Sequence, residues 1–521
     1  MKKNKLQLFA TAVLFLVFTL QGFAQETTAG KTAFDTETLD EYIKSAKEKW
    51  NIPGMAIAVV HKGELIFEKG YGMKSVKTKE KVTPNTLFAI ASNTKAFTSA
   101  ALSRLVDEGE ISWDDPVRKY LPYFTLYDPY VSEHMTIRDL LCHRSGLKTF
   151  SGDLLWYGTN YTRKEVIERA RYLEPTYDFR TNYGYSNIMF ITAGEIIPAV
   201  TDTAWEDYIE HHFFKPLEMK TANTSITDFT KGGDIAQPHH VVPGEETQLL
   251  PYINWDNIAP AGAINSGVSD MSHWLLMQLN DGVYKGKRIL SEKQIHEMRT
   301  PHTVKPVSRG AMNFWKTKHF EAYALGWNTF DYHGMQVVEH GGGADGMISK
   351  TVLLPEADFG FVILTNSINY LPSALSYYIL DLQAGAESKD WSSLYHNFYK
   401  RNHDREIKAA QKSEAERNKN SKPSLSLKAF VGIYSSELYG DAEVKLEGEN
   451  LVVDLLPAPL FIGDLSHWQY NTFKIVLRDR PNLPSGTVNF ILDANGEPEE
   501  MRIDIPNPDF DFTELEFFKV H

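Results

Sequence analysis

Strand-forming segments lie at both ends of residues 38–365, and the stretch between them is patterned mainly for helices. A sheet in such a chain has to be assembled from segments far apart in sequence. After an amphipathic helix over Thr38–Trp50, the apolar run Gly54–Val60 reads as a buried strand. A Lys62-Gly63 turn then leads to a second strand through Leu65–Phe67. Strand patterns return at 323–329, 335–339, 347–354 and 359–365, whereas 135–300 is largely helical. Strands gathered around a helical insertion predict an α+β domain, not alternating βαβ units.

The pattern changes again past Pro423. Residues 400–423 include Arg401–Glu406 and Gln411–Asn418, charge-rich and poor in apolar residues, which read as a solvated helix or linker. Short alternating strands follow at Ala442–Leu446, Leu451–Leu455, Thr472–Val476, Thr487–Leu492 and Leu515–Val520. Turn signals such as Gly448-Glu449-Asn450 and Asn495-Gly496 separate them, so residues 424–521 are expected to form a small all-β sandwich or barrel. A chain of 521 residues is long enough for two cores. The expected organisation is a main domain over 25–399, a charged linker over 400–423 and the β domain.

Residues 1–24 are expected to be removed. Lys2, Lys3 and Lys5 precede the apolar run Leu8–Leu20, and Gly22-Phe23-Ala24 places small residues at −3 and −1. That is the pattern of a secretory signal peptide cut after Ala24, and the run is short for a membrane span. A periplasmic or secreted location follows as the expectation. The net charge of −13 becomes −16 without the leader, which holds three lysines and no acid. An acidic chain with no basic stripe argues against nucleic acid or an anionic membrane surface as partner. A small-molecule or peptide substrate is expected instead, and the oligomeric state is left open. The single cysteine, Cys142, excludes an internal disulfide and a lipidated cysteine at the cleavage site; in Leu140-Leu141-Cys142 it reads as a small buried hydrophobe.

Three motifs carry chemistry. Ser92 and Lys95 stand three apart at the start of a helix-patterned run to about Asp107, so hydroxyl and amine share one face. A hydroxyl needs an adjacent base to act as a nucleophile, and a desolvated lysine can supply one. Ser145 and Lys148 have the same spacing, but Gly146 breaks helical periodicity there. Tyr185 and Asn187 place a phenol and an amide together ahead of the helix Ile188–Ile197; Tyr252/Asn254 and Tyr395/Asn397 match that pattern too. A phenolate held by a nearby ammonium is a competent base, and the amide can bond a substrate carbonyl. His340-Gly341-Gly342-Gly343-Ala344-Asp345-Gly346 contains Gly-x-Gly-x-x-Gly, yet Met347–Leu354 after it reads as a strand, which argues against a dinucleotide fold. Glycines on a strand edge instead allow close approach and leave N–H groups for an oxyanion. Neither metal nor cofactor is expected: His211-His212 and His239-His240 are adjacent pairs, and no His-Glu-x-x-His occurs.

In order, Ser92-x-x-Lys95, Tyr185-x-Asn187 and His340-x-Gly342 resemble the three active-site motifs of the serine β-lactamase-like superfamily, nearest its class C, penicillin-binding-protein-like and esterase branch. Leu140–Leu147, Lys215–Met219 and Ala261–Ser266 look like that family too, and the resemblance covers about 35–385. It implies an antiparallel sheet flanked by helices, with Ser92 as the acylated nucleophile and Lys95 and Tyr185 as the proton-transfer pair. Asn187 would contact the substrate amide, and the oxyanion hole would come from the N–H groups of Ser92 and Gly343. His340 takes a place often held by lysine and need not be charged at neutral pH. The implied activity is hydrolysis of an ester, a D-residue peptide or a β-lactam. The alternative is a cell-wall or glycan-binding, penicillin-sensing protein that does not turn over. Trp156 and Tyr157 are candidates for the pocket wall or for core packing.

Overall fold

The computed structural model describes residues 34–229 and 233–520; the expected signal peptide over 1–24 lies outside them. Eight strands make the main sheet: β1 Gly54–His61, β2 Glu64–Gly72, β3 Thr303–Lys305, β4 Glu321–Tyr323, β5 Asn328–Tyr332, β6 Met335–Ala344, β7 Met347–Leu354 and β8 Phe359–Thr365. Their order is β2-β1-β8-β7-β6-β5-β4-β3, with neighbours antiparallel. The N-terminal strand thus pairs with the last one, Ala58 opposite Val362.

β1 is apolar throughout because both its faces are covered. Met55, Ile57 and Val59 pack against Leu39 and Ile43 of α1 (Thr36–Trp50) and against the helix Leu371–Ala384. Ala56, Ala58 and Val60 face the other core, which includes Phe97, Ala101 and Leu105 of α2 (Thr94–Glu108). The strand expected at 323–329 is two, β4 and β5, because the chain turns between them against α2. At Gly326 (φ +77°) an added Cβ would lie 2.6 Å from Ser99 Oγ and 2.9 Å from the Lys95 carbonyl oxygen.

The middle of the chain is less helical than its pattern predicts. Ile137–Leu141, Arg163–Arg169 and Trp205–Ile209 are short, and ordered loops separate them; α3 (Asn187–Thr201) and Val268–Leu279 are the long ones. Buried loop residues such as Leu154, Leu155, Trp156 and Tyr157 supply apolar periodicity without a helix.

The C-terminal domain is a closed barrel of eight strands, from Gly432–Ser436 to Glu516–Lys519. Beyond those expected from sequence it contains Gly432–Ser436, Ile462–Gln469 and Pro498–Asp504. The boundary expected at 399/400 falls inside one continuous helix, Trp391–Glu416, whose first residue is buried and donates to Asp381 at 2.6 Å. The charged stretch is therefore largely the solvated half of that helix. Trp156 and Tyr157 lie at the seam between the domains, with the Phe510 ring 4.1 Å from Tyr157 and 5.9 Å from Trp156.

Candidate active site

Ser92 sits in a 3₁₀ turn, Ala91–Asn93, that runs directly into α2. Ala91 ahead of it has φ +47°, a left-handed conformation that costs a non-glycine residue energy and lifts the following hydroxyl out of the helix wall. Two bonds pin the turn to the sheet: Ser349 of β7 donates to the Ile90 carbonyl at 2.6 Å and accepts from Asn93 Nδ2 at 2.7 Å. The helix N-terminus behind Ser92 favours negative charge at this point.

Lys95 is fully buried one turn along. Its Nζ lies 2.6 Å from Asn187 Oδ1, 2.9 Å from the Ala261 carbonyl oxygen and 3.1 Å from Ser92 Oγ. Burial pushes its pKa down to about 7, against the pull of Asp153. A neutral amine has two N–H groups and one lone pair. With Asn187 and Ala261 accepting both N–H groups, the lone pair faces Ser92, which can then donate to it. In this arrangement a neutral Lys95 can accept a proton from the hydroxyl.

Asn187 opens α3, and its amide is fixed on the far side, where Nδ2 donates to the buried Asp153 at 2.6 Å. Burial raises Asp153 to about 7, opposed by the nearby Trp156 indole and by the bond from Asn187. The Tyr185 ring lies 4.8 Å from Lys95 Nζ, and its backbone is held on both sides, its N–H by Thr149 Oγ1 and its carbonyl by the Phe150 N–H. Burial raises Tyr185 well above 10, partly offset by bonding with Ser92. That shift favours the neutral phenol at rest.

His340 lies on β6, buried, with Nδ1 2.5 Å from the Gly341 carbonyl and Nε2 2.7 Å from the Tyr323 hydroxyl. Nδ1–H therefore donates and Nε2 accepts. Burial, with Lys95 nearby, pushes its pKa down to about 3, so the ring is neutral at pH 7. β5 pairs with β6 only as far as Glu339, which leaves the edge from His340 onward free of a partner strand on that side. Gly342 lies there against the Ser92 turn: an added Cβ would fall 2.2 Å from the Ile90 oxygen and 3.0 Å from Ser92 N. Gly343, next along, is exposed.

The structure thus brings Ser92, Lys95, Tyr185, Asn187, His340, Gly342 and Gly343 to one place. Ser145 and Lys148 stay apart in function: Ser145 is buried in a loop, and Lys148 pairs with Asp511. Tyr395 belongs to the long helix, and Tyr252 donates to Ala236. Sequence reasoning missed Asp153, Tyr323 and His143. His143 has φ +57°, accepts from the Ser186 N–H at 3.0 Å and lies 4.2 Å from the Tyr185 ring; burial pushes it well below its usual range. Cys142 beside it is buried, as its apolar setting implies. Among the described residues the possible metal-ligand cluster Asp281, Glu292 and His296 includes none of these groups.

A cleft lined by Ala89, Pro238, Tyr252, Trp255, Ala263 and Met347, with the polar Asn265 and Asp345, also has Gly262 in its wall, where an added Cβ would lie 4.0 Å from the carbonyl carbon of Ala91. If Lys95 is the base, the rate of attack rises with pH through about 7 and levels above it. Asp153 titrates in the same window, so the limb belongs to the pair. His143 and His340 stay neutral there, and Tyr185 gives no alkaline fall below pH 10. The pH profile of kcat/KM on a neutral ester checks this; a limb centred near 4–5 would contradict it.

Residues 39–386 match the model of the Beta-lactamase family, and 416–519 match a domain of unknown function, DUF3471. The unguisins hydrolase UngD′ of Aspergillus campestris is 32% identical over 392 residues, 72% of this chain and 70% of that protein. The protein Flp of Staphylococcus aureus strain MW2 is 29% identical over 345 residues, 66% of this chain and 65% of its own length. The octameric penicillin-binding protein homologue from Pyrococcus abyssi has the same fold at TM-score 0.60 and 23% identity, over 93% of this chain and all of that one. SurE does so at TM-score 0.53 and 17% identity, over 93% and 98%. The chain belongs to the Beta-lactamase family and is a serine hydrolase of that superfamily.

Proposed function

We propose that the chain is an exported hydrolase that works through an acyl-enzyme on Ser92. The observation that carries the reading is the bonding of Lys95, whose two N–H acceptors leave its lone pair for the Ser92 hydroxyl. Lys95 takes the hydroxyl proton as Oγ attacks the substrate carbonyl. The oxygen that becomes negative is met by the N–H groups of Ser92 and Gly343. The Tyr185 phenol passes a proton to the leaving alcohol or amine and is reprotonated from Lys95. Water then releases the acyl group by the reverse transfers.

The substrate is an ester, a D-residue peptide or a β-lactam amide. The neutral His340 offers no fixed cation for a substrate carboxylate, and the cleft whose Gly262 wall comes up to Ala91 is lined mainly by apolar residues. Both favour a neutral substrate with an apolar group beside the scissile carbonyl. The relative named as an unguisins hydrolase supports hydrolysis. Export rests on Lys2–Lys5, Leu8–Leu20 and Gly22-Phe23-Ala24, and a mature protein beginning at Gln25 in the periplasmic or secreted fraction checks it.

Intact-mass and peptide mapping after a fluorophosphonate probe test the reading, followed by turnover of p-nitrophenyl esters, nitrocefin and D-Ala-D-Ala peptides. The expected result is one label, on Ser92, and ester turnover whose kcat/KM rises with acyl length. An unlabelled Ser92 under every acylating probe overturns the reading. The phosphonyl label is permanent in either case, so an acyl label from penicillin or a p-nitrophenyl ester that never leaves points to the penicillin-sensing alternative.

A further inference from the structure

The barrel reaches the catalytic lysine through a short chain of bonds. Glu514, in the 3₁₀ turn Phe512–Glu514, accepts from the Ser151 hydroxyl at 2.7 Å and from the Gly152 N–H at 2.8 Å. These two residues immediately precede Asp153. Gly152 has φ +75°, and a Cβ there would fall 2.5 Å from Leu173 Cδ1 and 2.7 Å from Ile188 Cδ1, so the loop runs close against α3. Asp153 then holds Asn187 Nδ2 at 2.6 Å, and Asn187 Oδ1 meets Lys95 Nζ at 2.6 Å.

The direction of the Asn187 amide matters. Above about pH 7, where Lys95 is also neutral, the Asp153 carboxylate is ionised and only accepts, so it obliges Asn187 to turn its NH₂ toward it and its oxygen toward Lys95. A flipped amide would present N–H to Lys95 and occupy the lone pair that otherwise faces Ser92. Asp153 can enforce the orientation only while its loop is held in place, and Glu514 bonds the two residues before it. We propose that the C-terminal barrel is a working part of the active site: Glu514 is a positioning residue that acts through Ser151, Gly152 and Asp153 on Asn187, and so on Lys95. This rests on the reading of Lys95 as the base.

The test uses the full mature chain and the burst-phase acylation rate constant on a p-nitrophenyl ester. Glu514→Ala is expected to slow acylation by about 10–100-fold, the cost of a small misplacement, while KM changes by less than about threefold. Glu514→Gln can still accept from Gly152 and donate to Ser151, and is expected to recover to within about threefold of wild type. Asp153→Ala should lose at least as much as Glu514→Ala, and the double variant should be no slower than Asp153→Ala alone. Tyr161→Phe removes a different bond across the same seam, to the Tyr439 carbonyl, and should stay within about twofold. If Glu514→Ala does not fold, Ser151→Ala, which loses one of the two bonds, carries the test with about a 3–10-fold loss.

Wild-type acylation by Glu514→Ala overturns the inference. So does an equal loss in Tyr161→Phe, which would mean general loosening of the seam, or additive losses in the double variant. Retained activity in Lys95→Ala would overturn the underlying reading of the site instead. An inactive Lys95→Ala beside a fully active Glu514→Ala removes the inference alone.

Discussion

Lys95→Ala acylates about 10³–10⁴-fold more slowly than wild type at pH 8, the upper range for loss of a positioned general base. The reasoning starts from burial. Lys95 has no solvent exposure, so water cannot readily take its place as proton acceptor for Ser92. Nothing else in the site is suited to the role. Tyr185 is a neutral phenol at rest, and His340 spends Nε2 on the Tyr323 hydroxyl. His143 spends Nδ1 on the Ser186 N–H. The helix and the oxyanion donors remain, so a small residual rate is expected rather than none. The fold should survive, because alanine suits a helix interior and removing the amine also removes its desolvation penalty. Stopped-flow acylation, with circular dichroism as the control, decides it; labelling at the wild-type rate would mean that another group is the base.

Such a site was legible where its parts are local. Ser92 and Lys95 depend on helical spacing at the start of a helix-patterned run, and Asn187 on standing just ahead of an apolar helical pattern. His340 to Gly343 was legible as a glycine-rich segment before a strand, although it proved to be the end of β6 itself. What stayed hidden is tertiary. Asp153 sits ahead of Leu154 and Leu155, where an acidic residue reads as an ordinary cap, and its partner Asn187 is 34 positions away. Tyr323 and His143 meet His340 and Tyr185 only because β4 and the 143–150 loop converge. The barrel strands show the same limit. Pro498–Asp504 is mostly charged, since a small barrel exposes alternate residues, and Met501 and Ile503 alone give too weak a signal. The charge pattern over 400–416 could not separate coil from solvated helix, because what fixes that helix is Trp391 at its other end.

The glycines of β6 yield the second large effect, and they divide sharply. Gly342→Ala places a Cβ 2.2 Å from the Ile90 oxygen and 2.4 Å from Ser349 Oγ, distances that no real Cβ contact tolerates. Neither neighbour can move cheaply. The Ile90 oxygen is main chain and accepts from Ser349, and Ser349 in turn holds Asn93. The strand and the Ser92 turn must therefore part, which separates the N–H groups of Ser92 and Gly343 that are proposed to share one oxyanion. An acylation loss of about 10²–10³-fold is expected, the value of one such donor. Overpacking adds a destabilisation of about 1–3 kcal/mol. Gly341→Ala meets nothing closer than 3.8 Å and should acylate within about threefold of wild type. Gly343→Ala has its nearest contact at 3.6 Å and should fold as wild type does. Near-attack geometry explains the contrast: of three consecutive glycines, only the middle one bears on the distance between strand and nucleophile. Equal tolerance of Gly341→Ala and Gly342→Ala in burst kinetics would mean that the turn and the strand are not in contact as described.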